Sequence, residues 1–140
     1  MAVHGEDAAA AAILRILAER QAGTRKAVAR GAHLIEAYAK LELTRSSHPP
    51  GTPTPSPPGA PPSLVTGSLR RSITVRGPLG GGSRWEASVG PTIVYGRIQE
   101  LGGVAGGRGA RLPARPYMSP ALRRARPQIN ALFRDGWDVT

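Results

Sequence analysis

The groups from which this 140-residue chain could build chemistry are few: three histidines, nine carboxylates, nineteen basic side chains and no cysteine. His4, His33 and His48 fall in the amino-terminal tail, on a helical segment and in a proline-rich run. A metal site or a Ser-His pair would need three unrelated elements to converge, so these read as surface histidines. The carboxylates form no cluster resembling the paired acids of a hydrolase or a two-metal nuclease. Without cysteine there is no disulfide, thiolate metal site or thiol nucleophile. The runs "PLGGGS" and "LGGVAGGRGAR" invite a phosphate-loop reading, but neither has the G-x-x-x-x-G-K-[ST] spacing or sits cleanly between a strand and a helix. The pattern argues against an enzyme, and neither cofactor nor metal is expected.

Charge is the stronger signal. The net charge is +10 and the pI about 11.5, and Lys26 and Lys40 are the only lysines among the basic residues. Such a balance favours a polyanionic neighbour, although a compositional bias toward Ala, Arg, Gly and Pro would also raise the arginine count. Arg108, Arg111 and Arg115 in the second glycine-rich loop are either phosphate contacts or merely solvated loop charges. With aromatics at 4% and no base-reading motif, any DNA contact would be non-specific.

The elements that must position these groups fit one domain of α+β class, with a core built mainly from Ala, Val, Leu and Ile. From Asp7, a candidate N-cap, to Leu43, apolar residues recur near a 3.6-residue period at Ile13, Leu14, Leu17, Val28, Leu34, Ile35, Tyr38 and Leu41. This predicts one long amphipathic helix over 7–43, with Gly23 and Gly31 as the places for a bend and one end free to project toward a neighbour. The start of the chain has acidic residues where a basic leader would stand, and no segment is expected to span a membrane.

Eight of the 14 prolines fall between Pro49 and Pro62, which excludes helix and central strand there. Residues 44–62 read as a proline-rich extended loop: a solvated linker, an arm laid on an adjacent subunit, or a ligand for a proline-binding module. The region 63–118 reads as a small antiparallel β-sheet with loops. "SLRRSITVRG" is expected to be a strand from about Leu69 with Arg70 and Arg71 on opposite faces, turning through "PLGGGS" into "RWEASVG", where Trp85, Ala87 and Val89 share a face. "PTIVYGRIQELGG" suggests strand, then a turn or short helix closing at Gly102, and "VAGGRGARLPARP" a loop. A C-terminal helix over 119–134 is expected, with Ser119 as N-cap, Pro120 at its first position and a kink at Pro127.

Three of these segments carry a resemblance. "LVTGSLRRSITV" resembles the P-x-x-TG-x-L-x-x-SI segment of the small neck, or tail-completion, proteins of long-tailed double-stranded DNA bacteriophages. "ASVGPTIVYGRIQELGG" is similar to that family's VG…Y-x-x-x-x-E-x-G segment, and "ARPYMSPAL" to its ARPF-x-x-PA segment. The likeness runs from about Pro62 to Phe133, with the proline-rich run longer than the family's usual spacer. Its motif positions here are Thr66, Gly67, Leu69, Arg70, Ser72, Ile73, Tyr95, Glu100, Gly102, Arg115, Pro116 and Pro120. The resemblance implies a structural virion protein, assembled in the host cytoplasm into a ring expected to be hexameric. It would sit at the head-tail junction as a neck, tail-completion or terminator component, between connector and tail-tube proteins, with double-stranded DNA passing through its lumen. Arg71, Arg108 and Arg111 are then candidates for the channel or the interface. A basic DNA-binding protein of phage or host is the alternative. Within this frame Thr66 and Gly67 form the turn that ends the proline-rich run, Gly67 adopts positive φ, and Ile73 and Val75 lie on the long helix.

Overall fold

In the computed structural model, residues 4–50, 56–105 and 109–135 are described. The chain is α+β: helix α1 (His4–Glu42), short helix α2 (Ser68–Ser72), strands β1 (Ile73–Gly81) and β2 (Arg84–Pro91), helix α3 (Gly96–Leu101), strands β3 (Gly103–Ala105) and β4 (Ala110–Leu112), and helix α4 (Met118–Asp135). β1 and β2 pair antiparallel from Ile73 opposite Pro91 to Gly81 opposite Arg84, with a register shift between Arg76 and Leu79. β3 and β4 make a second, separate antiparallel pair. No described helix is long and apolar enough to cross a membrane.

Helix α1 is unbroken over 39 residues, about 58 Å at 1.5 Å per residue. It begins before Asp7, and neither Gly23 nor Gly31 interrupts it. Gly31 has a packing role instead: a Cβ there would lie 3.3 Å from Ile129 Cγ1 of α4. Small residues continue that contact, since among the described residues five of the eight buried apolar ones are Ala27, Ala32, Ala39, Ala121 and Ala125. Alanine fills little volume, so the two helix backbones approach closely. The core that results is thin, and Leu43, Ile73 and Tyr117 are its bulk.

At the buried end of this helix pair, Glu42 is 5% exposed and faces Arg45 at 3.1 Å and Arg124 of α4 at 3.8 Å. The Arg124 guanidinium also stands 4.8 Å over the Tyr38 ring, and Gln128 donates to the Tyr38 hydroxyl. The opposite end of α1 is different. From Gly5 to Ala22 every residue except Ala12 is exposed; Leu17, Arg20 and Gln21 border an open cavity of about 440 Å³ shared with Gly82, Ser83, Leu132 and Phe133, and the turns before Leu17 extend beyond the packed body.

Four expectations are corrected. Leu69, Arg70 and Arg71 are helical in α2, and β1 begins only at Ile73; Gly67 accepts the Arg71 N–H at 2.9 Å, closing a helical turn that strand alternation would not allow. Pro127 lies inside an uninterrupted α4, on its exposed side, where the carbonyl left without its donor is open to water. The glycine- and arginine-rich loop contains the β3–β4 pair. Ser119 does not cap α4, which starts one residue earlier, so Ser119 and Pro120 both belong to its first turn. Proline fits there because first-turn N–H groups have no intrahelical acceptor.

The proline-rich run does not leave the subunit as a straight arm. Its two ends are pinned together: Leu64 N–H donates to Ser46 O at 2.7 Å, His48 N–H to Leu64 O at 3.2 Å, and the Ser46 and Ser63 hydroxyls meet at 2.8 Å. Its later part is tied to the body where Gly59 N–H donates to Ala114 O at 2.9 Å. Residues 51–55 lie outside the described residues.

Candidate assembly site

The three motif segments, spread over residues 64–122, converge on one corner of the fold. Its centre is Tyr117, fully buried, whose hydroxyl donates to Gly96 O at 2.7 Å. That approach requires glycine at 96, since a Cβ would sit 2.5 Å from Pro91 Cγ and 3.2 Å from the Tyr117 oxygen. Burial, with the Glu100 and Tyr95 side chains adding to it, pushes the Tyr117 phenol up, so it stays a neutral donor.

Glu100 is the functional cap of α4. One of its oxygens, Oε2, accepts the N–H groups of Tyr117 at 2.7 Å and Met118 at 2.8 Å; the other, Oε1, accepts the N–H of Ser119 at 2.9 Å and the Ser119 hydroxyl. Three donors at a helix start are thereby satisfied by a carboxylate from another element, where the positive end of the helix dipole also favours negative charge. Burial works to raise the Glu100 carboxyl, but the bonds from the Ser119 hydroxyl and from the three backbone N–H groups outweigh it and hold it below its ordinary value.

Residues on either side lock the same corner. Gly102 has φ 69°, and a Cβ there would be 2.8 Å from Ala114 N, so the chain between α3 and β3 can pass only as glycine. Arg115 donates its N–H to Gln99 O at 2.7 Å and its Nε to Ser56 O at 2.9 Å, which spends the guanidinium on the proline-rich segment. Pro116, half-buried, leads directly into Tyr117.

The Thr-Gly segment is architectural in the same way. Gly67 has φ 77°, as expected for the turn. The Thr66 hydroxyl accepts Ser68 N–H at 3.3 Å and meets the Ser68 hydroxyl at 2.9 Å, while Arg71 folds back to donate to Thr66 O at 3.0 Å. Ser72 O accepts both the N–H and the hydroxyl of Thr92, at 3.1 and 3.3 Å, which joins α2 to the end of β2. Leu69 packs on the core, and Ile73 is 1% exposed against Ala39 and Leu43.

Of the charged candidates, Arg70 and Arg71 are exposed on α2, and Arg111 is exposed on β4 opposite Val104. Arg108 lies outside the described residues. Tyr95 is exposed at the start of α3, where its carbonyl accepts Gln99 N–H. Among the described residues no three His, Asp or Glu side chains gather as metal ligands. Sequence reasoning missed the Tyr117–Gly96 and Gly31–Ile129 contacts, because each pairs residues far apart in the chain with no local pattern to announce them.

The corner also exposes apolar side chains beside its arginines. Val94, Leu101 and Val104 are 97%, 64% and 61% exposed, and with Arg97 and Ile98 they line a shallow depression of about 340 Å³. Comparison with known protein families, with curated proteins and with solved structures yields no match to this chain.

Proposed function

We propose that this chain is a structural virion protein that assembles as a ring at the head-tail junction of a long-tailed double-stranded DNA phage. It acts there by joining connector to tail and not by catalysis. The observation that carries the reading is the convergence of the three family-like segments on one corner, where Glu100 of the second caps the helix opened by the third. Segments that resemble a family in order, and that also depend on each other physically, form one structural unit. The unit is built to hold surfaces in place: Glu100, Tyr117 and Arg115 bond backbone groups, and its exposed face sets Val94, Leu101 and Val104 beside Arg97 and Arg111. Apolar surface of this kind suits protein partners. The surplus of exposed arginine suits a ring whose lumen passes DNA without reading its sequence.

Deletion of the encoding gene in the phage that carries it tests the reading: filled heads and finished tails should accumulate unjoined, and the chain should be found in purified wild-type particles. Normal joined particles after deletion would remove the proposal. The net charge of +10 also favours a second reading, a basic DNA-binding protein. A phosphate binder loses affinity steeply as salt rises, whereas a ring held by apolar contacts keeps its assembly.

A further inference from the structure

Two clusters hold most of the large apolar side chains that the described residues leave exposed. One is Ile13, Leu14, Ile16 and Leu17 on the first half of α1, between 47% and 67% exposed. The other is Val94, Leu101 and Val104 at the α3–β3 corner. The two differ in charge as well as in shape. The helix cluster has Arg15, Glu19 and Arg20 within a turn of it, and the helix opens on an acidic pair, Glu6 and Asp7, about two turns before Ile13, in a chain whose net charge is +10. Around the corner cluster the charged neighbours are Arg97, which lines the depression, and Arg111, directly opposite Val104 in the β3–β4 register and so on the same face.

Among the described residues neither surface is covered. The chain's α1 is one unbroken helix whose second half is fixed against α4 and the β1–β2 pair, so the first half cannot turn back onto the α3–β3 corner of the same subunit. We propose that the first half of α1 from a second copy of this chain seats on that corner. Ile13, Leu14 and Leu17 would cover Val94, Leu101 and Val104, with the acidic start of the helix facing Arg97 and Arg111. Unlike surfaces meeting in this way form a heterologous contact, which repeats head to tail and closes into a ring when the rotation per subunit allows. The inference rests on the ring-forming reading above and names the surfaces that such a ring uses. Charge opposition between the acidic helix start and the corner adds direction, because a copy brought in corner to corner would set Arg97 and Arg111 against their own kind.

The absence of cysteine from the natural chain makes the test direct. Full-length Leu17→Cys and Leu101→Cys proteins are purified, shown to melt like the parent, mixed and oxidised with copper phenanthroline. A disulfide-linked dimer should form several-fold faster in the mixture than in either protein alone. Self-linking of Leu17→Cys at the rate of the mixture would show a symmetric helix pair and overturn the proposal, as would no linked dimer in the mixture. A second pair removes dependence on cysteine placement. Leu14→Glu with Leu17→Glu leaves a corner without a helix, and Leu101→Glu with Val104→Glu leaves a helix without a corner. Each alone should sediment as a monomer, and the two together as a dimer that grows no further; a mixture that stays monomeric while the parent associates would overturn the contact. Unjoined heads and tails after gene deletion, together with a failed cross-link, would leave the junction reading standing and remove this interface. A clean cross-link with no effect of gene deletion on particles would do the reverse.

Discussion

Glu100 and Ser119 meet through two bonds to one oxygen: the Ser119 N–H reaches Glu100 Oε1 at 2.9 Å, and the Ser119 hydroxyl donates to that same atom. With the Tyr117 and Met118 N–H groups on the other oxygen, the carboxylate closes the start of α4 from outside the helix. The closure depends on charge, because the ionised carboxylate offers only acceptors to these four donors.

A pH dependence follows. The Glu100 carboxyl is held below its ordinary value, so its contribution to stability is present in full above the unfolded carboxyl value, about 4.3. It is lost as pH falls from there through the lower folded value. Glu100→Gln should cost about 1–3 kcal/mol at neutral pH, since an amide puts donors where two acceptors were needed. The same change should flatten the loss of stability below about pH 4. Thermal melts of parent and variant across this range check both points, and parallel pH profiles would show that the bonds do not contribute.

The buried phenol gives a second measurement. Tyr117→Phe removes the donor to Gly96 O inside a fully buried site, leaving a carbonyl unpaired at a cost of about 1–3 kcal/mol. Denaturant unfolding should show a lower midpoint with an unchanged slope, as expected for a packing change that leaves the folded shape intact. A midpoint equal to the parent's would mean that the carbonyl finds another partner.

At Gly67 the backbone itself is tested. Its φ of 77° lies in the left-handed region, and the nearest atom to an added Cβ is the far end of the Arg71 side chain, at 3.0 Å. The guanidinium can move, so the penalty comes from the backbone conformation. Gly67→Val should cost about 1–3 kcal/mol, and Gly67→Asn distinctly less because asparagine tolerates this region. Equal melting temperatures for the valine and asparagine variants would remove the turn from the account.

The parts of this fold that were legible in the sequence are those with local causes. A 3.6-residue apolar stripe marked α1, the alternation of Trp85, Ala87 and Val89 marked β2, and the Thr66–Gly67 pair marked a turn. Misreadings arose where a specific contact, near or distant in the chain, overrode a local pattern. "SLRRS" looks like the opening of a strand, yet the Gly67 carbonyl and the Thr66 hydroxyl close it into a helical turn. Ser119 and Pro120 look like a self-sufficient helix start, yet the cap comes from Glu100, nineteen residues away from Ser119. Gly31 looks like a helix breaker until Ile129 is known to pack on it. The candidate interface had no local signature at α3, because Val94, Leu101 and Val104 become neighbours only when the short helix and the β3–β4 pair are folded.

The proline-rich segment supplies the last prediction. Ser56 O is held by Arg115 Nε and Gly59 N–H by Ala114 O, so the later half of the segment is a strap on its own subunit. Within the segment Ser56 and Gly59 make these ties through their backbone atoms, and the prolines contribute mainly by limiting what the unfolded chain can explore. Each proline in a compatible conformation is worth about 0.4–1 kcal/mol through that effect. Replacing Pro57, Pro58, Pro61 and Pro62 with serine should therefore lower stability by about 2–4 kcal/mol in total while preserving the folded structure. Arg115→Ala should lower it independently, by removing the side-chain tie, and the two changes should be less than additive because they act on one strap. Chemical unfolding of the three variants checks the scheme. Stability unchanged by the proline replacements would show that the strap is not part of the cooperative fold, and the segment would then be free to serve as an arm toward a neighbour.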